Sequence, residues 1–294
     1  MKRGTARFTR GSLCFGDCLE ILPKLSEQSF DLVYVDPPFN TGRPWAARVG
    51  KGERARGTAA YADRWGGIEG FLEMLAPRLT AVRPLLSAQG SLWIHLDHRA
   101  VHDTKVLADR IFGKRAYAGE VIWVPGNGAR RRNTLSVTHQ TILVYAPGEN
   151  MIWHGDDPMV REPYADVSLK MHFSECDADG RYFRDRTIGG KTYRYYADKG
   201  RQIGSVWSDC PAMRANTPLV RESTGYPTQK PEKLLERIVR AATNADSQVL
   251  DPMCGSGTTL AVAQRLGRRF VGIDQSDVAF DVARARLKQT RATP

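Results

Sequence analysis

Between residues 247 and 274 the chain alternates apolar runs with a glycine turn, in an order that few architectures accept. Residues 247–251 read as a buried strand, Gly255-Ser256-Gly257 as a turn, 258–266 as a helix and 269–274 as a second strand. Such a strand–turn–helix–strand unit belongs in a parallel sheet covered by helices. The turn lacks the Lys of a phosphate-binding loop, and Leu260 stands where a dinucleotide fingerprint has its third glycine. A pyrophosphate therefore fits it poorly. A bulky ligand without phosphate at this point fits better, because Gly255 and Gly257 clear side chains from its approach. Gly-Ser-Gly alone reads as a plain tight turn. Asp274, which ends the second strand 17 positions after Gly257, shifts the balance. A carboxylate there is placed to accept hydrogen bonds from ribose hydroxyls, although it could instead cap the helix that follows. The two features together favour an adenosine-type ligand.

The rest of the chain extends this pattern. Residues 30–35 form an apolar run that stops at Asp36-Pro37-Pro38 and read as a strand ending in a proline-held loop. Residues 43–67, rich in Gly, Arg and Ala without periodicity, read as a long loop. Helical spacing of Phe71, Leu72, Leu75, Leu79 and Val82 predicts a helix over 68–86. Then come a strand at 91–96, a helix at 103–112 ended by Gly113, and strands at 120–124 and 141–145. Beyond residue 146 the chain turns polar, aromatic and basic, until regular patterning resumes at Tyr226 with helices at 231–242 and 275–289. The expectation is an α/β fold with a mostly parallel, doubly wound sheet built from 1–146 and 225–294, and an insertion at 147–224.

Asp36-Pro37-Pro38-Phe39 is open to two readings. It is a proline turn after a strand, with Phe39 in the core, or it carries chemistry. An exocyclic amine on a nucleobase is a poor nucleophile, because its lone pair is delocalised into the ring. Two acceptors aimed at its two hydrogens favour the tetrahedral geometry that frees the pair. Asp36 can offer a carboxylate oxygen and Pro37 its backbone carbonyl, acting by position and electrostatics. Phe39 can stack on a base extruded from a duplex.

Taken together, these motifs resemble the amino-methyltransferases of DNA, the N6-adenine and N4-cytosine enzymes, in their β-type order. In that order the catalytic motif precedes the target-recognition region and the AdoMet loop follows it. Asp36-Pro37-Pro38-Phe39-Asn40-Thr41-Gly42 looks like the catalytic motif. Asp251-Pro252-Met253-Cys254-Gly255-Ser256-Gly257-Thr258-Thr259 looks like the AdoMet loop, with Met253 where Phe is more usual. Gly225-Tyr226-Pro227-Thr228-Gln229-Lys230-Pro231 resembles the segment before the helix that covers the methionine end of the cofactor. Gly16-Asp17-Cys18-Leu19 resembles the N-terminal element whose Asp contacts the cofactor's adenine.

The resemblance implies a Rossmann-like AdoMet-dependent methyltransferase fold with circularly permuted motif order and an inserted target-recognition region. It implies S-adenosylmethionine as cofactor, held by Asp17, Cys18, Asp36, Thr228, Gln229, Lys230, the loop 251–259 and Asp274. It implies site-specific methylation of duplex DNA by base flipping, of the kind found in restriction-modification. D-P-P-F rather than S-P-P points to adenine N6. An N4-cytosine enzyme and a catalytically inactive DNA-binding homologue are the alternatives. A homodimer and a cognate restriction endonuclease are candidate further partners.

Composition agrees with a polyanionic partner. Lys and Arg number 43 against 32 Asp and Glu, a net charge of +11, and phosphate contacts supply most non-specific nucleic-acid affinity. Three basic clusters are candidates for DNA contact. One is Arg43, Arg48, Lys51, Arg54 and Arg56, and another is Arg130-Arg131-Arg132. The third, over 181–201, is Arg181, Arg184, Arg186, Lys191, Arg194, Lys199 and Arg201, interleaved with Tyr182, Phe183, Tyr193, Tyr195 and Tyr196. Any one of them can equally be a solvated basic face. The five cysteines form no C-x-x-C and the histidines no metal-ligand spacing, so free thiols in a reducing cytosol and no metal are expected. No run of about 18 apolar residues predicts a membrane span.

Overall fold

The computed structural model describes residues 4–49, 56–126, 131–148, 150–213 and 222–290, and their contacts divide into two units. One is His154–Gly204; the other holds the segments before and after it.

The larger unit is built on a nine-stranded sheet. Its strands are β1 (Thr5–Phe8), β2 (Gly11–Phe15), β3 (Phe30–Val35), β6 (Leu86–Leu96), β7 (Tyr117–Trp123), β8 (Gln140–Tyr145), β14 (Val206–Trp207), β15 (Gln248–Asp251) and β16 (Arg269–Asp274). Their order is β1-β2-β16-β15-β3-β6-β8-β7-β14. Neighbours from β2 to β6 are parallel, as are β7 and β14, whereas β8 runs antiparallel to β6 and β7 and β1 antiparallel to β2. The expected α/β sheet is therefore present, with antiparallel pairs toward its edges.

Helices cover both faces. Alternate strand residues point to opposite sides, and Val33 and Val35 enter a buried cluster with Phe71, Leu75 and Leu79 of α2 (Ile68–Val82) and Phe112 of α3 (Val101–Phe112). The short α1 (Cys18–Ile21) borders the same cluster. On the other face α5 (Glu232–Ala242) and α6 (Thr258–Arg265) pack on each other and against β3, β15 and β16, and α7 (Asp277–Gln289) follows β16. Burial of a strand on both faces is why 30–35 reads as an unbroken apolar run. No helix among the described residues is long and apolar enough to cross a membrane.

Two expectations need correction. Residues 43–67 are not a plain loop: β4 (Arg43–Val49) and β5 (Arg56–Asp63) pair antiparallel with each other. This ribbon lies outside the main sheet, and its buried residues, Ala47, Ala60 and Asp63, are small or charged, so they leave no large apolar side chains at alternate positions to mark a strand. The helix expected over 68–86 stops at Val82; Pro84 sits in a single 3₁₀ turn, and β6 starts at Leu86.

The smaller unit contains β9 (Arg161–Glu162), α4 (Asp166–His172), β10 (Glu175–Cys176), β11 (Tyr182–Ile188), β12 (Lys191–Tyr196) and β13 (Arg201–Gln202). β10, β11 and β12 form a three-stranded sheet, and β9 pairs with β13.

Candidate functional site

Sheet order alone brings the two chemically suggestive loops together. β15 lies between β16 and β3, with Leu250 opposite Val33 in parallel register. The chain leaves β15 through α6 toward β16 and leaves β3 in the opposite direction, through α2 toward β6. Such a point of reversal opens a crevice at the carboxyl ends of the strands. Asp36 follows the end of one strand and Asp251 ends the other, and both line a single cleft. Asp17, Cys18, Pro37, Pro38, Phe39, the segment 228–230, the segment 251–256, Thr258, Thr259 and Asp274 also line it. Gly257 does not. It caps α6 with φ of +72°, and a Cβ there would come within 2.8 Å of Ala283 Cβ.

The glycine turn is tied to the next strand by a carboxylate. Asp274 accepts the Gly255 N–H (2.9 Å) and the Ser276 N–H (2.8 Å). It does not cap α7; Ser276 does, accepting from the Ala279 N–H. Burial pushes Asp274 up to about 6, against the two N–H donors. Asp251 is 2 % exposed, accepts the Met253 N–H at 3.2 Å, and is pushed up by burial to about 7. Gly255 also has positive φ, and a Cβ there would crowd the Tyr226 ring at 3.3 Å.

The remaining cofactor candidates divide by their partners. Asp17 caps α1 through the Leu19 N–H (3.0 Å) and pairs with Arg78 at 3.2 Å. Burial raises the Cys18 thiol to about 11, which keeps it protonated. Gln229 accepts from the Thr224 N–H and hydroxyl and donates to the Glu222 carbonyl, so it braces its own segment. The buried Thr258 hydroxyl accepts from Arg286 at 2.9 Å. Lys230 is the exception: its ammonium forms an ion pair with Asp36 and lies 4.9 Å from the centre of the Phe39 ring. Burial raises the Asp36 carboxyl, and Lys230 opposes that rise.

Two supports of the loop after Asp36 escape sequence reasoning. Asp63, at the end of β5, is fully buried and lines the same cleft. Its carboxylate accepts the Asn40 N–H (2.7 Å), the Thr41 N–H (2.9 Å) and the Thr41 hydroxyl (2.6 Å). It thus grips the two residues after Phe39, with Asn40 at φ of +56°. Behind Phe39, 6.0 Å between ring centres, stands the buried His95. Its Nδ1 accepts from the Tyr34 hydroxyl (2.6 Å) and its Nε2 donates to the Gln140 side-chain Oε1 (2.7 Å). Burial holds His95 well below the usual imidazole range, so the ring is neutral.

The candidate DNA-contact residues are not equally available. Arg131 and Arg132 are exposed. Arg130, Lys51 and Arg54, and the side chains of Arg43, Arg48 and Arg56, lie outside what the structure describes. In the smaller unit Arg181 pairs with Asp198 at 2.9 Å and Arg194 with Asp185 at 2.8 Å. Arg184 sits 5.0 Å from the Phe173 ring and Lys191 5.4 Å from the Tyr193 ring.

Comparison with known proteins gives the same picture. The family model described as DNA methylase matches residues 30–285. The Type II methyltransferase M2.DpnII of Streptococcus pneumoniae is 26% identical over 287 residues, 96% of this chain and 91% of that protein. The Type II methyltransferase M.EcaI of Enterobacter cloacae is also 26% identical; the match takes in 89% of this chain and 65% of that longer protein. Among solved structures, the cytosine-N4-specific PvuII DNA methyltransferase superposes with a TM-score of 0.60 at 17% identity, covering 95% of this chain and 86% of that one. The M1.HpyAVI–SAM complex superposes with a TM-score of 0.54 at 17% identity, covering 94% and 98%.

Proposed function

The chain belongs to the N6/N4 DNA methylase family, and from that premise we propose that it transfers a methyl group from S-adenosylmethionine to N6 of adenine in duplex DNA. The observation that carries this reading is the meeting of Asp36 and the Gly255 turn in one cleft, on adjacent strands. The charge of the cleft supports the cofactor. Five carboxylates line it, Asp17, Asp36, Asp63, Asp251 and Asp274, against two cations, Arg78 and Lys230, each paired to one of them. Such a lining suits a ligand bearing sulfonium and ammonium charges and disfavours one bearing phosphates. The turn 253–256, with Asp274, would hold the adenosine end, and the bound cofactor supplies an already activated methyl group.

The residues of the loop account for the rest. Phe39 stacks on the flipped adenine, backed by the neutral His95 ring. Asp36 and the Pro37 carbonyl accept the two amino hydrogens and turn the nitrogen lone pair toward the methyl carbon. As the N–C bond forms and the S–C bond breaks, the nitrogen sheds a proton to the Asp36 carboxylate. Lys230 opposes the rise that burial imposes on that carboxyl, and Asp63 fixes the loop that carries it. Residues 147–224 serve target recognition in this reading.

The test is nucleoside analysis of DNA after incubation with the protein and S-adenosylmethionine. N6-methyladenine is expected. N4-methylcytosine in its place would reassign the base, and no methylation by wild-type protein on mixed genomic DNA would overturn the activity.

A further inference from the structure

The smaller unit is electrically neutral, with nine basic and nine acidic residues between 154 and 204. The whole net charge of +11 therefore resides in the rest of the chain. General attraction to phosphate does not explain what this unit does, and the placement of its charges matters more than their sum.

Those charges are sorted by the pleat of one hairpin. β11 and β12 join through Gly189-Gly190, with φ of +57° and +78°, the two-residue turn that matches strand twist. Residues directly opposite each other share a face. On one face Asp185 opposes Arg194 in a two-point ion pair (2.9 and 2.8 Å), and the Thr187 and Thr192 hydroxyls are 3.1 Å apart. That face neutralises itself. The other carries Tyr182, Arg184, Arg186 and Ile188 on β11 and Lys191, Tyr193 and Tyr195 on β12, without a carboxylate. Arg184 is taken up among the rings of Tyr164, Phe173 and Tyr195 at the hairpin's base. Among the described residues the Arg186 side chain has no ion pair or hydrogen bond, and the Lys191 side chain has only the Tyr193 ring.

Every residue from Asp185 to Arg194 is exposed, on both faces of the ribbon. The distal hairpin thus contributes nothing to a core, although it holds Ile188 at 54 % exposure and Tyr193 at 41 %. A lone two-stranded hairpin is marginal in water. This one is stiffened by its turn, its ion pair and the anchored Arg184. Exposed apolar and aromatic groups beside unpaired cations suit a partner that offers anionic charge and flat or methyl-bearing surface together.

We propose that the hairpin Tyr182–Tyr196 enters the major groove of duplex DNA, with Arg186 and Lys191 on its contact face. The proposal rests on the reading of the chain as a DNA methyltransferase. The major groove, about 12 Å wide, admits a two-stranded ribbon, whereas the deep, narrow groove of A-form RNA does not. Arg186 and Lys191 meet phosphate or guanine edges, Tyr193 and Ile188 meet sugar and thymine methyl groups, and the Asp185–Arg194 face keeps the ribbon straight.

The experiment compares wild type with the double variant Arg186→Ala/Lys191→Ala, both full-length. Binding to a mixed-sequence 30-base-pair duplex is followed by fluorescence anisotropy across a salt series, with S-adenosylhomocysteine present. Cofactor affinity is measured in parallel as the check on folding. The proposal expects unchanged cofactor affinity and roughly tenfold weaker duplex binding. It also expects the slope of log Kd against log salt to shrink by about one to two, since each phosphate contact contributes about 0.9. Wild-type affinity and slope in the variant would overturn the hairpin's role while leaving the methyltransferase reading intact. If wild-type protein neither binds duplex nor methylates it, the underlying reading falls instead.

Discussion

Replacing Asp63 by Asn tests whether the loop after Phe39 is held from outside the motif. The substitution keeps the size of the side chain and removes its charge. One oxygen can still accept the Asn40 N–H, now at 2.7 Å from a carboxylate. The other becomes an NH₂ facing the Thr41 N–H, whose 2.9 Å bond is lost, while the Thr41 hydroxyl can turn and accept. A hydrogen bond to a charged partner contributes about 1.5–3 kcal/mol. One such bond lost and a second weakened come to about 2–3 kcal/mol. If that energy orders the loop in the transition state, kcat/KM for DNA falls roughly 30- to 150-fold at 1.36 kcal/mol per decade. The assay is single-turnover methyl transfer from labelled S-adenosylmethionine, with cofactor affinity measured by calorimetry. Loss of rate with cofactor affinity intact is expected. A variant within threefold of wild type would refute the claim that Asp63 sets the loop, and a loss confined to cofactor affinity would reassign Asp63 to the cofactor.

Two further predictions concern protons. Lys230 opposes the rise that burial imposes on Asp36, so Lys230→Gln raises the Asp36 carboxyl further and moves the acid limb of the kcat profile to higher pH. The loss is then larger at pH 6 than at pH 8.5, and an unmoved limb would show that Asp36 is not the titrating group. Asp274 stands at about 6, above the usual carboxylate range, so its ionised form, which would accept ribose hydroxyls, disappears as pH falls through 6. Cofactor affinity measured by calorimetry should be flat above pH 7 and weaken by about tenfold per unit well below 6; Asp274→Asn should abolish that dependence, and its persistence would assign it elsewhere.

What the sequence discloses here is what it encodes locally. The glycine turn, Asp274 and the run that ends at Asp36 are each contiguous, and strands buried on both faces announce themselves as apolar runs. Asp63 lies 22 positions beyond Thr41, on a ribbon whose strands pair only with each other, so neither spacing nor periodicity connects it with the motif it supports. His95 is a single imidazole within an apolar strand, and its hydrogen-bond chain draws on Tyr34 and Gln140 from two other strands. The basic cluster at 181–194 shows a different gap. Composition counts its arginines alike, but only the register that sets Asp185 opposite Arg194 separates engaged cations from available ones. β1 and β2 are four and five residues long, too short for alternation to stand out from chance.

The place of β15 within the sheet governs when this molecule can acquire its cleft. β15 and β16 fill the gap between β3 and β2, yet they are synthesised long after both. Until residue 274 has left the ribosome, β2 has no parallel neighbour, β3 has one open side, and Asp36 faces solvent rather than a wall. A nascent chain therefore carries Asp36 without the opposite wall of the cleft until β15 and β16 are made, and the cleft becomes complete only when they pair.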